Sequence, residues 1–145
     1  HLFLQKFPAP VFQATAKLHF NGHQDGDRTG LMVMGTDYAY IAIEKENDGS
    51  WIKKWVCMNA PDGEKEWLEA RQKAESDQIY LRLEVRKGAK CQYSFSFDGK
   101  EFRILGEEFQ ARPGRWIGAK VGLFASSNIR TNDTGYADYD WFRIE

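Results

Sequence analysis

No stretch of this chain carries a convincing helical stripe, and no apolar run approaches the roughly 18 residues that span a bilayer. The first absence argues against a helical or mixed architecture, the second against a membrane-spanning helix. Charge of one sign is missing as well: 20 basic and 21 acidic residues are well mixed and leave a net charge of -1. Neither a nucleic-acid partner nor an anionic membrane surface is expected from that balance. Cysteine is scarce. Cys57 and Cys91 each sit inside a strand-like run, and two thiols so far apart neither specify a zinc site nor demand a disulfide, so they read most simply as buried free thiols. Of the 3 histidines, His19 and His23 bracket a loop with Asp25 and Asp27, but the spacing fits no standard zinc pattern, and hydrated loop residues account for it. A G-x-S-x-G elbow, a Ser–His–Asp arrangement and a glycine-rich phosphate loop are all missing. Nothing argues for self-contained catalysis, and nothing requires a cofactor.

What the chain has in quantity is alternation. Phe12, Ala14, Ala16, Leu18 and Phe20 interleave with Gln13, Thr15, Lys17 and His19. Ile79, Leu81, Leu83 and Val85 interleave with Tyr80, Arg82, Glu84 and Arg86, and Tyr93, Phe95 and Phe97 with Ser94 and Ser96. Successive side chains of a strand point to opposite faces, so this pattern buries one face and wets the other. Strands are read at about 2–7, 11–20, 29–35, 38–45, 50–58, 64–70, 78–87, 90–98, 101–105, 117–125 and 135–145. Turn chemistry separates them: Asn21-Gly22, Asp25-Gly26, Asn47-Asp48-Gly49, Pro61-Asp62-Gly63 and Lys87-Gly88, with a two-residue hairpin expected at Phe97-Asp98-Gly99-Lys100. The segment 64–75 is rich in Ala, Glu and Lys, which favour helix, but its brevity and its neighbours place it as strand. The expected fold is all-β: an antiparallel two-sheet β-sandwich of jelly-roll type. A chain of 145 residues is about one domain, able to bury roughly two thirds of its unfolded surface. No linker or repeat divides it, so residues 1–145 read as one sandwich. It opens on His1 within a strand-like run, which reads as a fragment of something longer.

Paired carboxylates occur twice. Glu107 and Glu108 are adjacent and would face opposite ways on a strand, which makes a poor acid/base couple. Asp138 and Asp140 would share a face, where crowded carboxylates fix loops or hold a Ca²⁺ ion. The aromatics say more. In 50–58, Trp51, Lys53, Trp55 and Cys57 share one face, while Ile52, Val56 and Met58 take the core side; in 37–44, Tyr38, Tyr40 and Glu44 point opposite to Ile41 and Ile43. If these strands pair, one sheet face carries Tyr38, Tyr40, Trp51 and Trp55 with Lys53 and Glu44 between them. Such a mixture suits sugars, whose C–H faces lie on flat rings while polar groups bind hydroxyls. The same aromatics would equally serve as core or as cover for a partner domain. Trp116, beside Arg112 and Arg115 at a Pro113-Gly114 turn, is either a plug over the sandwich end or an outward contact. Asn132-Asp133-Thr134 is a formal glycosylation sequon.

Several ordered motifs resemble one domain type. These are 2–10 (LFLQKFPAP), 26–35 (GDRTGLMVMG), 37–40 (DYAY), 93–99 (YSFSFDG), 118–124 (GAKVGLF) and 135–142 (GYADYDWF). They resemble the C-terminal concanavalin A-like β-sandwich of glycoside hydrolase family 43, the β-xylosidase and α-L-arabinofuranosidase group. The resemblance implies a separate five-bladed propeller that holds the catalytic acids and packs against the sandwich, and it implies opening strands ahead of residue 2 that this chain lacks. It also implies that the loop around Trp116, with Arg112 and Arg115, narrows the propeller's sugar pocket. The expected substrates are xylo- or arabinoxylo-oligosaccharides, in the periplasm or outside the cell rather than in the cytoplasm. Likeness to other lectin-like folds adds a structural calcium at Asp138 and Asp140. Two other roles stand beside the pocket-completing one: a xylan-targeting carbohydrate-binding module using Tyr38, Tyr40, Trp51, Lys53 and Trp55, and a protein-interaction sandwich unconnected with sugars.

Overall fold

The computed structural model describes residues 2–112, 118–126 and 137–145. In chain order the strands are β1 (Leu2–Lys6), β2 (Phe12–Phe20), β3 (Arg28–Met34), β4 (Tyr38–Glu46), β5 (Gly49–Cys57) and β6 (Trp67–Lys73). They continue with β7 (Gln78–Arg86), β8 (Lys90–Ser96), β9 (Arg103–Ile104), β10 (Phe109–Gln110), β11 (Lys120–Ser126) and β12 (Ala137–Ile144). A first sheet runs β1-β11-β3-β4-β5-β6 and a second β10-β8-β7-β2-β12, with β9 also on β8; every pairing is antiparallel. Among the described residues the only helical element is a 3-10 turn at Ala60–Asp62, and no helix is long and apolar enough to cross a membrane.

The alternation read from the sequence builds the core. Phe12, Ala14, Leu18 and Phe20 of β2, with Ile79, Leu81, Leu83 and Val85 of β7, meet Leu31, Val33, Ile41, Ile43, Ile52 and Val56 of the first sheet. Each such aliphatic side chain contributes about 1.5–3 kcal/mol by leaving water. Two hydroxyls stitch the layers: Tyr93 donates to the Ala39 carbonyl at 2.7 Å, and Tyr139 and Thr29 share a 2.7 Å hydrogen bond. Burial raises the Tyr93 phenol well above its ordinary range, so it stays a donor. Cys57 and Cys91 are buried and free, and burial pushes the Cys91 thiol up to about 12.

The structure departs from the expected strands at several points. The segment 64–75 does form a strand, but β6 begins at Trp67, because the 3-10 turn and the extended residues behind it occupy 60–66. The hairpin expected at 97–100 is longer. Ser94 pairs with Ile104 and Phe95 with Arg103, which leaves Asp98-Gly99 inside a wider loop. That loop closes on side chains: Ser96 Oγ accepts from the amides of Asp98 and Gly99, and Asp98 accepts from those of Lys100 and Glu101. The donors stabilise the carboxylate, holding Asp98 down to about 2. Glu107 and Glu108 lie in the loop before β10 rather than on a strand. The β10 strand, only two residues long, gave no periodicity to read.

Candidate functional site

The outward face of the first sheet is built from β3, β4, β5 and β11. A tight turn at 47–48 with Gly49 at φ 126° closes the β4–β5 hairpin and fixes its register. Tyr40 then lies opposite Trp55, Ala42 opposite Lys53 and Glu44 opposite Trp51, while Tyr38 lies opposite Cys57. The sequence-predicted group of Tyr38, Tyr40, Trp51, Lys53 and Trp55 therefore shares one face. Beneath it lies a second apolar cluster of Met32, Tyr40, Ala42 and Phe124, with Met34, Tyr38 and Trp55 packed against it. Tyr40 meets Phe124 edge-on at 4.6 Å and stacks with Tyr38 at 6.2 Å.

Charged side chains roof this floor. The Arg28 guanidinium lies 5.8 Å from the Tyr40 ring and 5.4 Å from the Trp55 ring, and it donates to the Tyr40 hydroxyl at 2.8 Å. It is 3.5 Å from Glu44 and 3.4 Å from Glu66. Glu66 accepts from both Tyr38 and Tyr40 hydroxyls at 2.8 Å. Lys53 pairs with Glu44 and, at 3.3 Å, with Glu46. Burial, with Glu66 as acceptor, raises both tyrosines above their ordinary range, so they remain donors. Trp51 stands apart: Arg71 covers its ring at 4.3 Å, Lys73 lies at 5.5 Å, and its Nε1 donates to Asp48 at 3.0 Å. Tyr40 is only 2% exposed, so it belongs to the second core rather than to an open platform. Trp55 Nε1 is enclosed and has no acceptor among the described residues, which leaves one donor unspent.

Sequence reasoning missed Arg28, Met32, Phe124 and Glu66. The first three carried a readable signal, since Arg28, Gly30 and Met32 alternate with core residues in β3 and Phe124 follows suit in β11. Glu66 sits just ahead of β6, where no period points to it.

The other expected sites separate. Trp116 and Arg115 lie outside the described residues, as does the Asn132–Thr134 sequon. Arg112 is described and is bound to the protein itself. Its guanidinium forks onto the Asp37 carboxylate and donates to Asn59 Oδ1 at 3.0 Å, while its carbonyl accepts from Thr36 at 3.0 Å. Asp37 also accepts from the Asn59 amide at 2.8 Å. Asp138 and Asp140 both lie on β12 and are separated by an irregularity in its register. Asp138 lies opposite His19, whereas Asp140 occupies a bulge between Tyr139 and Trp141 and meets Lys17 at 3.4 Å. Both are exposed, and among the described residues no group of three His, Cys, Asp or Glu converges. His19 is the one exposed residue of β2, while Asp27 accepts from the amides of His23 and Gln24 at 3.1 and 3.0 Å and shapes its own loop.

The Asp37 node gives a pH prediction. The Arg112 guanidinium beside Asp37, helped by the Asn59 amide, holds its carboxyl below the usual range against the opposing effect of burial. A carboxyl depressed in the fold adds stability above its unfolded value of ~3.9, and that stability is lost as the pH falls through the lower folded value. Asp37→Asn should lower stability by about 1–2 kcal/mol at pH 7, and the gap to the parent should close below about pH 4. Urea unfolding of both proteins at pH 7 and pH 3 checks this; an equal gap at both values contradicts it.

Two facing antiparallel sheets, with a roofed aromatic floor outside one of them, define a concanavalin A-like β-sandwich module. Residues 1–145 match the family described as the β-xylosidase C-terminal concanavalin A-like domain, and the chain belongs to that family. It is 30% identical over 132 residues to a β-xylosidase of Formosa agariphila, covering 91% of this chain and 21% of that protein. Among solved structures, the GH43 protein BlXynB of Bacillus licheniformis superposes with a TM-score of 0.81 at 22% identity, over 97% of this chain and 28% of that one. A xylan β-1,4-xylosidase of Bacillus halodurans gives 0.79 at 17% identity, over 98% and 29%. The chain thus spans between a fifth and a third of the length of these relatives and corresponds to their C-terminal domain.

Proposed function

We propose that this chain is the accessory sandwich of a family 43 glycoside hydrolase acting on xylan-derived oligosaccharides. In this reading a five-bladed propeller supplies the catalytic carboxylates, and the sandwich stabilises it and completes its sugar pocket with Trp116. The observation that carries the reading is the family match over residues 1–145, together with the chain's partial coverage of a β-xylosidase. The Arg112–Asp37–Asn59 node supports it physically. A guanidinium forked onto a buried carboxylate fixes the chain at residue 112, immediately before the segment that contains Arg115 and Trp116. Arg112 then acts as a positioning residue for that segment rather than as a sugar contact.

The test is kinetic. In a family enzyme that carries this domain, Trp116→Ala should lower kcat/KM on xylobiose by roughly 10- to 100-fold, the scale of one lost apolar pocket contact. Unchanged kinetics in a folded variant would remove the pocket-completing role.

A second reading, a xylan-targeting module, has one observation in its favour: the unspent Trp55 Nε1 on the outward face of the first sheet. Against it, Arg28, Glu44 and Glu66 already occupy the polar positions above Tyr40 and Trp55.

A further inference from the structure

The outer face of the second sheet holds a group that neither reading uses. Across β7, β2 and β12 the ladder aligns Tyr80, Lys17 and Trp141 in one row and Arg82, Thr15 and Arg143 in the next. Tyr80 lies 6.0 Å from Trp141 and 6.3 Å from Phe102, ring centre to ring centre, so three aromatics cross the face. Each arginine lies over one of them: the Arg82 guanidinium is 3.6 Å from the Phe102 ring and that of Arg143 is 4.1 Å from Trp141. Stacking holds a planar guanidinium in place and leaves its N–H edge free for a carboxylate.

The charge balance singles these two out. Lys17 is matched by Asp140 at 3.4 Å and Arg86 by Glu108, but among the described residues neither Arg82 nor Arg143 has an ion-pair partner. Thr15 lies between them, is 5% exposed, and accepts from Arg82 Nε at 3.0 Å. Its own hydroxyl proton has no acceptor among the described residues. Two stacked guanidiniums and a buried hydroxyl donor thus share one row of the ladder, a set of donors for a single anionic group. Acids bound the patch on both sides: Glu84 pairs with Gln13 one row beyond, and Asp138 lies opposite His19 on the far side of the aromatic row.

We propose that this face binds a xylan-type chain through one uronic-acid substituent. The carboxylate is held by Arg82 and Arg143 at Thr15, and neighbouring sugar rings lie along Tyr80 and Trp141. The single anion follows from the flanking acids, which would repel a second one nearby. The sugar class rests on the xylan reading above; the acidic substituent rests on this face alone.

The experiment is calorimetric titration of the 145-residue chain with xylotetraose bearing one glucuronic acid and with plain xylotetraose, at low salt and at 0.5 M NaCl. The acidic sugar should bind at least tenfold more tightly than the neutral one, and high salt should erode that preference. The double variant Arg82→Gln/Arg143→Gln should abolish the preference, whereas Lys6→Gln, at an exposed position of β1 on the other sheet, should leave it intact. Arg143→Gln alone changes only an exposed residue and should remove most of the preference, so the test stands even if loss of Arg82 disturbs Phe102. Equal affinities, no binding of either sugar, or a preference that survives the double variant would overturn the proposal. So would a double variant that leaves sugar binding unchanged but loosens a complex with a family catalytic domain, which would give the face to an acidic protein surface. None of these outcomes touches the Trp116 kinetics, so failure here is distinguishable from failure of the pocket-completing reading.

Discussion

Glu69→Ala should cost the sandwich about 3–5 kcal/mol, a large share of the roughly 5–15 kcal/mol that stabilises a domain. The reason is Lys54, whose side chain points into the space between the sheets and is 0% exposed. Its ammonium donates to Glu69 at 2.8 Å and to the Glu107 carbonyl, and it lies 5.9 Å from the Tyr93 ring. Glu69 also accepts from the Glu107 amide at 2.6 Å, so the pair ties β5 and β6 of the first sheet to the loop between β9 and β10 of the second. Without Glu69, a buried charge is left with one neutral carbonyl and a ring. Removing both charges is a different experiment. Lys54→Met/Glu69→Leu should lie within about 1 kcal/mol of the parent or above it, because apolar packing commonly replaces a buried pair without loss. Urea midpoints of the single and double variants decide the matter; a single-variant loss below about 1 kcal/mol would show that the ammonium reaches water.

Gly30→Ala should be nearly as damaging, for a steric reason. Gly30 lies in β3 opposite Ala42, and a Cβ there would fall 1.9 Å from the Ile41 carbonyl oxygen and 2.7 Å from the Ala42 Cα. Both are backbone atoms, so relief requires β3 to move away from β4. That movement would break the ladder that holds Arg28 and Met32 beside Tyr40. The expected loss is about 3 kcal/mol, at the upper end of overpacking costs, with a shifted tryptophan emission as Trp55 loses its Arg28 cover. Gly118→Ala is the control: among the described residues nothing lies within 4 Å of its added Cβ, and the change should stay within about 0.5 kcal/mol. If both alanines are tolerated equally, the close approach of β3 to β4 is wrong.

These two positions also show where the sequence was readable. The period-two runs of β2 and β7 gave their inward faces directly, because one side of each strand is apolar and the other polar. The pairing of β4 with β5 likewise followed from a turn and two alternations, and it gathered Tyr38, Tyr40, Trp51, Lys53 and Trp55 on one side. Periodicity fails where a residue breaks its own face. Lys54 occupies an inward position between Ile52 and Val56, and only the distant Glu69 and Glu107 make that tolerable. It fails again where both faces are covered, as in Leu31-Met32-Val33, whose outward methionine signals the second apolar cluster. Loops defeat it for another reason. Glu66 reaches the tyrosines from outside any strand, and the 97–102 loop is set by the Ser96 and Asp98 side chains rather than by a two-residue turn. The Arg112–Asp37 pair joins positions 75 residues apart, a separation that no local pattern registers.

The most direct measurement of the central claim is complementation. The catalytic domain of a family 43 β-xylosidase would be produced without its sandwich and assayed on xylobiose, first alone and then with this chain added in excess. The account predicts that the chain alone releases no xylose and that its addition raises kcat/KM of the catalytic domain at least tenfold, with Trp116→Ala chain restoring stability but not the full rate. A chain that leaves both the rate and the thermal midpoint of the catalytic domain unchanged would contradict the accessory role.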